Sequence, residues 1–437
     1  MIDKIQRYTQ SLPTRSRYYL RLMLIIALFL GFTVVSFLIN LQHIEKHTVG
    51  DTFLTNWISI KLFLAEGTDP YSSETRDVVN QYASAVLQRE PVPETVVFNM
   101  PLFVVIFYLP FLFFDSFSHA YALWMTLIEG VLLGISFLSY HLVKPKIRMG
   151  WVLFLGALVS VAFSYYAYMI LQSGSAFPIT ILFLMLGVWA VKKQADELAG
   201  VFFGFASINI HAIWLVLLFI IIWSIRMKRP RLAGWMVGTI LLLGIASALV
   251  QPDWLLYYGR GMVRFGSQTS TSFLPSVLSA YYPGTFRRLG TVLMIAAGAL
   301  LFSEWFIPRK QHFAAFYWTL LLTFVISQLF ILWFEVEQLL LLTPVIGFVL
   351  ILWVDRWKQK GFVVASMVMG GTYLLPWLVM SVQGLSNAQA RFWLIVPLTF
   401  FLLVNLYWVR WWLFRNTELW FEEAYLFDNP AKRDTLE

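Results

Sequence analysis

The chain has 437 residues, 59% of them hydrophobic and 13% charged, where a soluble domain carries roughly 25% charged residues. That balance excludes an ordinary water-soluble domain and reads as a polytopic membrane protein. The net charge of +8 fits cytoplasmic loops rich in Lys and Arg and calls for no nucleic-acid partner. Without a cysteine, disulfides, haem attachment and thiolate metal sites are excluded.

In chain order, the first apolar run covers 22–41. At about 1.5 Å rise per residue it is long enough to span a bilayer. No small-residue cleavage site closes it, so it reads as a retained anchor. Arg7, Arg15, Arg17 and Arg21 precede it and place the N-terminus in the cytoplasm. Residues 42–98 are then a first extracytoplasmic loop. Further apolar runs follow at 98–114, 120–143, 151–170, 177–191, 198–225, 232–250, 289–307, 313–334, 339–354, 362–382 and 392–413.

Basic clusters follow several of these runs: Lys144, Lys146 and Arg148; Lys192 and Lys193; Arg226, Lys228, Arg229 and Arg231; Arg309 and Lys310; Arg356, Lys358 and Lys360; Arg410 and Arg415. All are expected in the cytoplasm, which decides two ambiguous segments. Were 98–114 to cross, the next span would strand Lys144, Lys146 and Arg148 outside. The segment is also short, and Pro101 and Pro110 interrupt it, each removing a backbone donor. It therefore reads as an interfacial or re-entrant helix over 99–117. The run 198–225 has basic clusters at both ends and so predicts a tight hairpin of two short helices, with "INIHA" at its tip. Gly200 and Gly204, four apart, would let a neighbouring helix approach closely. The sum is one integral membrane domain over 1–437, all-α, with about twelve transmembrane helices and both termini cytoplasmic. A second long outer loop covers 251–288 and a cytoplasmic tail covers 414–437. No internal repeat is visible, which argues against a secondary transporter.

The outer segments hold most of the polar chemistry. Asp51 follows Gly50; near the interface it escapes the cost of about 2.5–3.5 kcal/mol that a charge pays at mid-bilayer. It is either a solvated loop acid or a functional one. In "GTDPY", Asp69 can accept from the backbone donors after it, and Pro70 keeps Asp69 extended ahead of Tyr71. In "FNMPLF", Pro101 starts the interfacial helix and Asn99 is its expected cap.

The order "GDTFLTNW", "AEGTDPY", "NMPLFVVIFYLP", then "AGVFFGFASINIHAIWLVLLF" and "ISQLFILWFEVEQLLLLTP", resembles glycosyltransferase family 87. The resemblance covers roughly residues 51–344. It implies the membrane-embedded C-type fold and transfer of a hexose, mannose foremost, from a polyprenyl-phosphate donor to a lipid or glycan acceptor. The reaction is inverting and takes place at the extracytoplasmic face of the plasma membrane. It makes Asp51 the general base that deprotonates the acceptor hydroxyl. By the same resemblance, Asp69, Tyr71, Asn99, Gln172, Asn209, His211, Glu335 and Glu337 line the substrate pocket. The chain departs from the family in three places. Gln172 in "LQSGSA" stands near the place of a Gly-Gln, Asn209-Ile210-His211 replace a Lys-Pro at the hairpin tip, and Glu335 and Glu337 stand where many members carry His.

In "YYGRGMVRFGSQTSTSF", Arg260 and Arg264 share one face if helical. They can hold a polyprenyl phosphate, each charge pair at about 4 Å being worth about 4 kcal/mol at an effective dielectric of about 20. Alternatively they snorkel to lipid head groups. Of the six histidines only His43 and His47 lie four apart, in "HIEKH", a pair too small by itself for a metal site, and no Rossmann-type glycine pattern marks a nucleotide-sugar site, so no cofactor is expected. Two other readings stand beside the transferase: a non-catalytic or accessory protein of a polysaccharide pathway, and a transporter of lipid-linked sugars. The second would use mid-bilayer charges, for which Glu129 and Glu304 are candidates.

Overall fold

Lys and Arg that follow apolar runs in the sequence come together at one end of a helical bundle. The computed structural model describes residues 14–88, 90–92, 98–143, 150–268, 274–279, 284–307, 313–331, 335–382 and 387–413. Arg7, Lys144, Lys146, Arg148, Arg309, Lys310, Arg415 and the expected tail at 414–437 lie outside the described residues.

The helices are α1 (Thr14–Lys46), α2 (Asp51–Glu66), α3 (Ser73–Ala85), α4 (Val105–Tyr108), α5 (Phe117–Val143), α6 (Gly150–Ala162), α7 (Tyr165–Ser173), α8 (Phe177–Lys192) and α9 (Asp196–Phe205). There follow α10 (Ile210–Arg226), α11 (Pro230–Val250), α12 (Trp254–Gln268), α13 (Leu274–Ser279), α14 (Thr285–Phe306), α15 (Phe313–Ser327), α16 (Thr343–Ser381) and α17 (Asn387–Leu413). Tight 3-10 turns cover Leu102–Val104, Leu109–Phe111, Ala206–Asn209 and Val336–Leu342. Among the described residues, eight segments are long and apolar enough to cross a bilayer: Ile26–Lys46, Phe117–Val143, Asp196–Arg226, Pro230–Val250, Thr285–Phe306, Val336–Trp357, Gln359–Ser381 and Phe392–Arg410. Every backbone polar group must find its partner within such a segment, so helix is the form they take. The protein is an all-α, multi-pass membrane protein.

The bundle is built outward from α15, whose residues are buried along its whole length, as expected of a helix apolar on every side. At the opposite extreme, α1 exposes Met23, Leu24, Leu28, Phe29, Leu30, Val34, Val35, Leu38 and Ile39. It packs mainly on α5, where a polar seam joins the two. Ser36 Oγ donates to Glu129, and Asn40 Nδ2 donates to Thr126 Oγ1 (3.2 Å).

One face of the bundle is basic. Lys192 Nζ, at the end of α8, donates to Leu142 O at the end of α5 (3.3 Å) and sits over the Phe313 ring at the start of α15. Arg226, at the end of α10, donates to Phe306 O at the end of α14 (2.9 Å). Arg410 near the end of α17 pairs with Glu304 (2.9 Å), which Tyr407 also contacts through its hydroxyl (3.0 Å).

Two segments fold back on themselves. Asp196–Arg226 is apolar enough to count as one span, yet Arg229 Nε donates to Asp196 Oδ2 across its two ends (3.1 Å). A straight helix of that length would separate those ends by about 45 Å, so the segment is a hairpin that leaves and re-enters the basic face. Gly200 and Gly204 lie where its first arm meets α11. A Cβ on Gly200 would sit 2.6 Å from Leu232 O and 2.8 Å from Met236 N, and one on Gly204 would sit 2.6 Å from Thr239 Cβ. As expected, the two glycines admit a neighbouring helix, here α11. The second reversal lies within α16. A Cβ on Gly361 would lie 2.3 Å from Trp353 O, eight residues earlier, and Tyr373 contacts Thr343. The segment therefore doubles back near Arg356 and Lys360, and Trp353 and Trp357 both pack on Trp408 of α17.

The segment 98–114 begins and ends on the face opposite the basic one. Met100 O accepts from the Tyr71 hydroxyl (2.8 Å), and Phe111 O accepts from Trp57 Nε1 (3.0 Å). Phe117 then stacks on Tyr121 at the start of α5. The Leu102–Phe111 stretch is broken into a 3-10 turn, one short α-helix and a second 3-10 turn containing Pro110, as the loss of a backbone donor requires. The expected cap is corrected. Pro101 takes the N-cap position and no side chain caps the turn, so Asn99 lies two residues ahead of it. A chain extended before proline cannot turn Asn99 onto those donors.

Candidate functional site

The face opposite the basic one gathers residues from distant parts of the sequence. Gly50 precedes α2 in the left-handed conformation (φ 86°), and Asp51 is the first residue of the helix rather than part of a loop. It is half-buried. A carboxylate there faces the positive end of the helix dipole. The Gly50 amide donates to Gln172 O (2.8 Å), while the Gln172 side chain donates to Thr48 O (3.4 Å). Gln172, in the last turn of α7, therefore clamps the entry to Asp51 from both sides.

Next to Gln172, Ser173 Oγ donates to Glu337, and Ser175 contacts the same carboxylate. Gly174 between them has φ 81°, and its missing Cβ leaves room for Phe53 and Tyr121. Trp124 Nε1 donates to Gly174 O (3.0 Å), and the Tyr121 hydroxyl donates to Leu171 O (2.6 Å). Thus α2, α5, α7 and the Val336–Leu342 turn meet at the "LQSGSA" stretch. Glu335 belongs to the same turn but holds its start, in a reciprocal capping box with Gln338, a local arrangement that satisfies two end donors.

A second group forms around the "GTDPY" turn. Asp69 Oδ1 accepts from Tyr71 N (3.0 Å), the turn expected from the sequence, and also from Gln251 Nε2 (3.0 Å) at the end of α11. Tyr71 packs on Phe98 and Tyr258. Burial, with Tyr258 and Asp69 close by, pushes the Tyr71 hydroxyl above its ordinary range, and burial does the same for Tyr258. Both remain neutral hydrogen-bond donors at physiological pH.

Between the two groups lies the hairpin tip. Asn209 Nδ2 donates to Thr180 Oγ1 in the first turn of α8 (2.9 Å). His211 is buried in the first turn of α10. Ile210 packs on the small cluster of Phe63, Leu102, Trp254 and Tyr258, which ties the tip to the "GTDPY" group.

The structure therefore brings Asp51, Gln172 and Glu337 together in one group and Asp69 and Tyr71 in another, with Asn209 and His211 between. Asn99 adjoins Met100, whose carbonyl holds Tyr71. Arg260 is exposed, on the side of α12 facing away from Tyr258. It lines an open groove of ≈ 590 Å³ with Leu255, Leu256, Gly259 and Val263. The Arg264 side chain lies outside the described residues. Ser173, Ser175, Gln251 and Tyr258 were not picked out from the sequence. For the serines, the small polar residues flanking Gly174 were the available signal.

What fold and site define together is a multi-pass membrane protein with a polar, acid-bearing cluster on the face opposite its basic loops. No protein-family model, curated protein or solved structure matches this chain.

Proposed function

We propose that the chain is a membrane glycosyltransferase similar to family 87, moving a hexose, mannose foremost, from a polyprenyl-phosphate donor to a lipid or glycan acceptor. The observation that carries this reading is the convergence of Asp51, Gln172, Ser173 and Glu337, drawn from three remote segments, on the face away from the basic loops. The positive-inside rule puts the basic loops in the cytoplasm and this cluster at the extracytoplasmic face of the plasma membrane. Counting both fold-back segments as pairs, and α6 with α7 as one broken span, the chain crosses about twelve times with both termini inside.

In the reaction, Asp51 takes the proton of the acceptor hydroxyl as its oxygen forms a bond to the anomeric carbon. The bond from that carbon to the phosphate oxygen breaks, the electron pair leaves with the lipid phosphate, and the configuration inverts. Gln172 holds the backbone that presents Asp51. A lipid phosphate arriving from the bilayer meets Arg260 among Leu255, Leu256 and Val263, where a guanidinium can bind it in a charge-assisted pair.

Against transport, both candidate intramembrane acids serve helix contacts: Glu129 holds α1 through Ser36, and Glu304 holds α17 through Arg410. One observation favours the accessory reading, because Glu335 and Glu337 are engaged in holding local backbone and side chains. Asp51→Asn separates the two. With purified protein, a panel of polyprenyl-phosphate sugars and a membrane extract as acceptor, the substitution should lower turnover by roughly 10²–10⁴ and leave folding intact. Equal turnover would remove Asp51 as the base, and a parent that transfers no sugar from any donor would move the accessory reading ahead.

A further inference from the structure

The helix α12 has two unlike faces. Trp254, Tyr258 and Met262, four residues apart, turn inward onto Phe63, Leu102 and Tyr71, as helical spacing requires. This small cluster joins the main core of the protein through Tyr71, Val105 and Ile210. The opposite side, with Leu255, Leu256 and Val263, is exposed. The helix thus lies as a cover over the "GTDPY" turn, held by a few side chains.

Two polar atoms under that cover have no hydrogen-bond partner among the described residues: the Tyr258 hydroxyl and Gln251 Oε1. Tyr258 is 6% exposed. The other end of the Gln251 amide is fixed by Asp69, so Oε1 cannot turn away without breaking that bond. Leaving such groups buried and unpaired costs free energy that a suitable ligand would return. Tyr258 supplies a donor and Gln251 an acceptor. Sugar hydroxyls, which both accept and donate hydrogen bonds, have the chemistry to pair with each.

We propose that Gln251 and Tyr258, beside Asp69 and Tyr71, form a recognition subsite for a carbohydrate hydroxyl, entered when α12 lifts. This rests on the sugar-handling reading above and adds two residues to it. Neither residue touches the reacting atoms, so the expected role is selection among sugars rather than catalysis.

The test uses the full chain in lipid nanodiscs with methyl mannoside, methyl glucoside and methyl galactoside as probes, and thermal unfolding as the readout. At least one hexoside should raise the melting temperature of the parent. Tyr258→Phe, which removes an unpaired hydroxyl, should melt at or above the parent without sugar. It should also bind the effective hexoside about tenfold more weakly. Gln251→Met should likewise weaken binding. No shift of the parent with any hexoside, or an unchanged shift in Tyr258→Phe, would overturn the subsite. Hexoside binding that depends on Tyr258 in a protein transferring no sugar would keep the subsite and sink the transferase. Sugar transfer with unaltered sugar selectivity in Tyr258→Phe would do the reverse.

Discussion

Substituting Gly174 by alanine isolates the packing that assembles the Asp51 cluster. Two costs add. Gly174 has φ 81°, and a left-handed conformation costs an L-residue roughly 1–2 kcal/mol. The new Cβ would also lie 2.5 Å from Phe53 Cβ, 2.8 Å from Tyr121 Cε2 and 3.2 Å from Phe53 N. The last belongs to the α2 backbone and cannot rotate aside, so overpacking adds about 1–3 kcal/mol. The sum is about 2–5 kcal/mol. Gly67→Ala is the matched control, since Gly67 has φ 72° but nothing within 4 Å of its Cβ position; it should lose only the roughly 1–2 kcal/mol of strain. Thermal unfolding of both variants in one detergent should place Gly174→Ala clearly below Gly67→Ala, with Gly67→Ala slightly below the parent. Equal melting of the two variants would refute the close packing of α2, α5 and α7 around Gly174.

The native chain has no cysteine, so single cysteines report topology cleanly: Ser73→Cys should be labelled by an impermeant reagent from outside and Gln194→Cys should not, and the opposite pattern would invert the orientation. The hairpin predicts that Asp196→Cys with Arg229→Cys is joined by a short bismaleimide within one chain, and no intramolecular product would mean the ends of that segment lie apart. Glu129→Gln should retain the seam between α1 and α5, while Glu129→Leu should weaken it by about 0.6–1.7 kcal/mol, the range for hydrogen bonds between membrane helices, read as earlier unfolding in detergent titration.

Much of this architecture was legible along the chain because a bilayer imposes strict local rules. Apolar runs must become helices, and basic clusters collect on one side. That logic alone anticipated the fold-back of Asp196–Arg226, whose ends Arg229 and Asp196 join, and it read 98–114 as lying along the outer face. The turn at Asp69 was readable too, since the bond that closes it reaches only two residues ahead.

Only the tertiary structure decided what meets at the polar face. The bond from Gly50 to Gln172 and that from Ser173 to Glu337 join residues more than a hundred positions apart, and no local period encodes such a pairing. For the same reason Asn99 read as a cap until Pro101 took that place, and Glu335 read as a pocket residue although it also closes a capping box. Gln251 and Tyr258 left no trace in hydropathy, because a single polar side chain at the end of a span looks like any solvated loop residue. Their meaning comes from burial beside Asp69 and Tyr71, and burial is a property of the packed bundle: local composition sets which segments enter the membrane, but contact between their ends depends on how the helices cross.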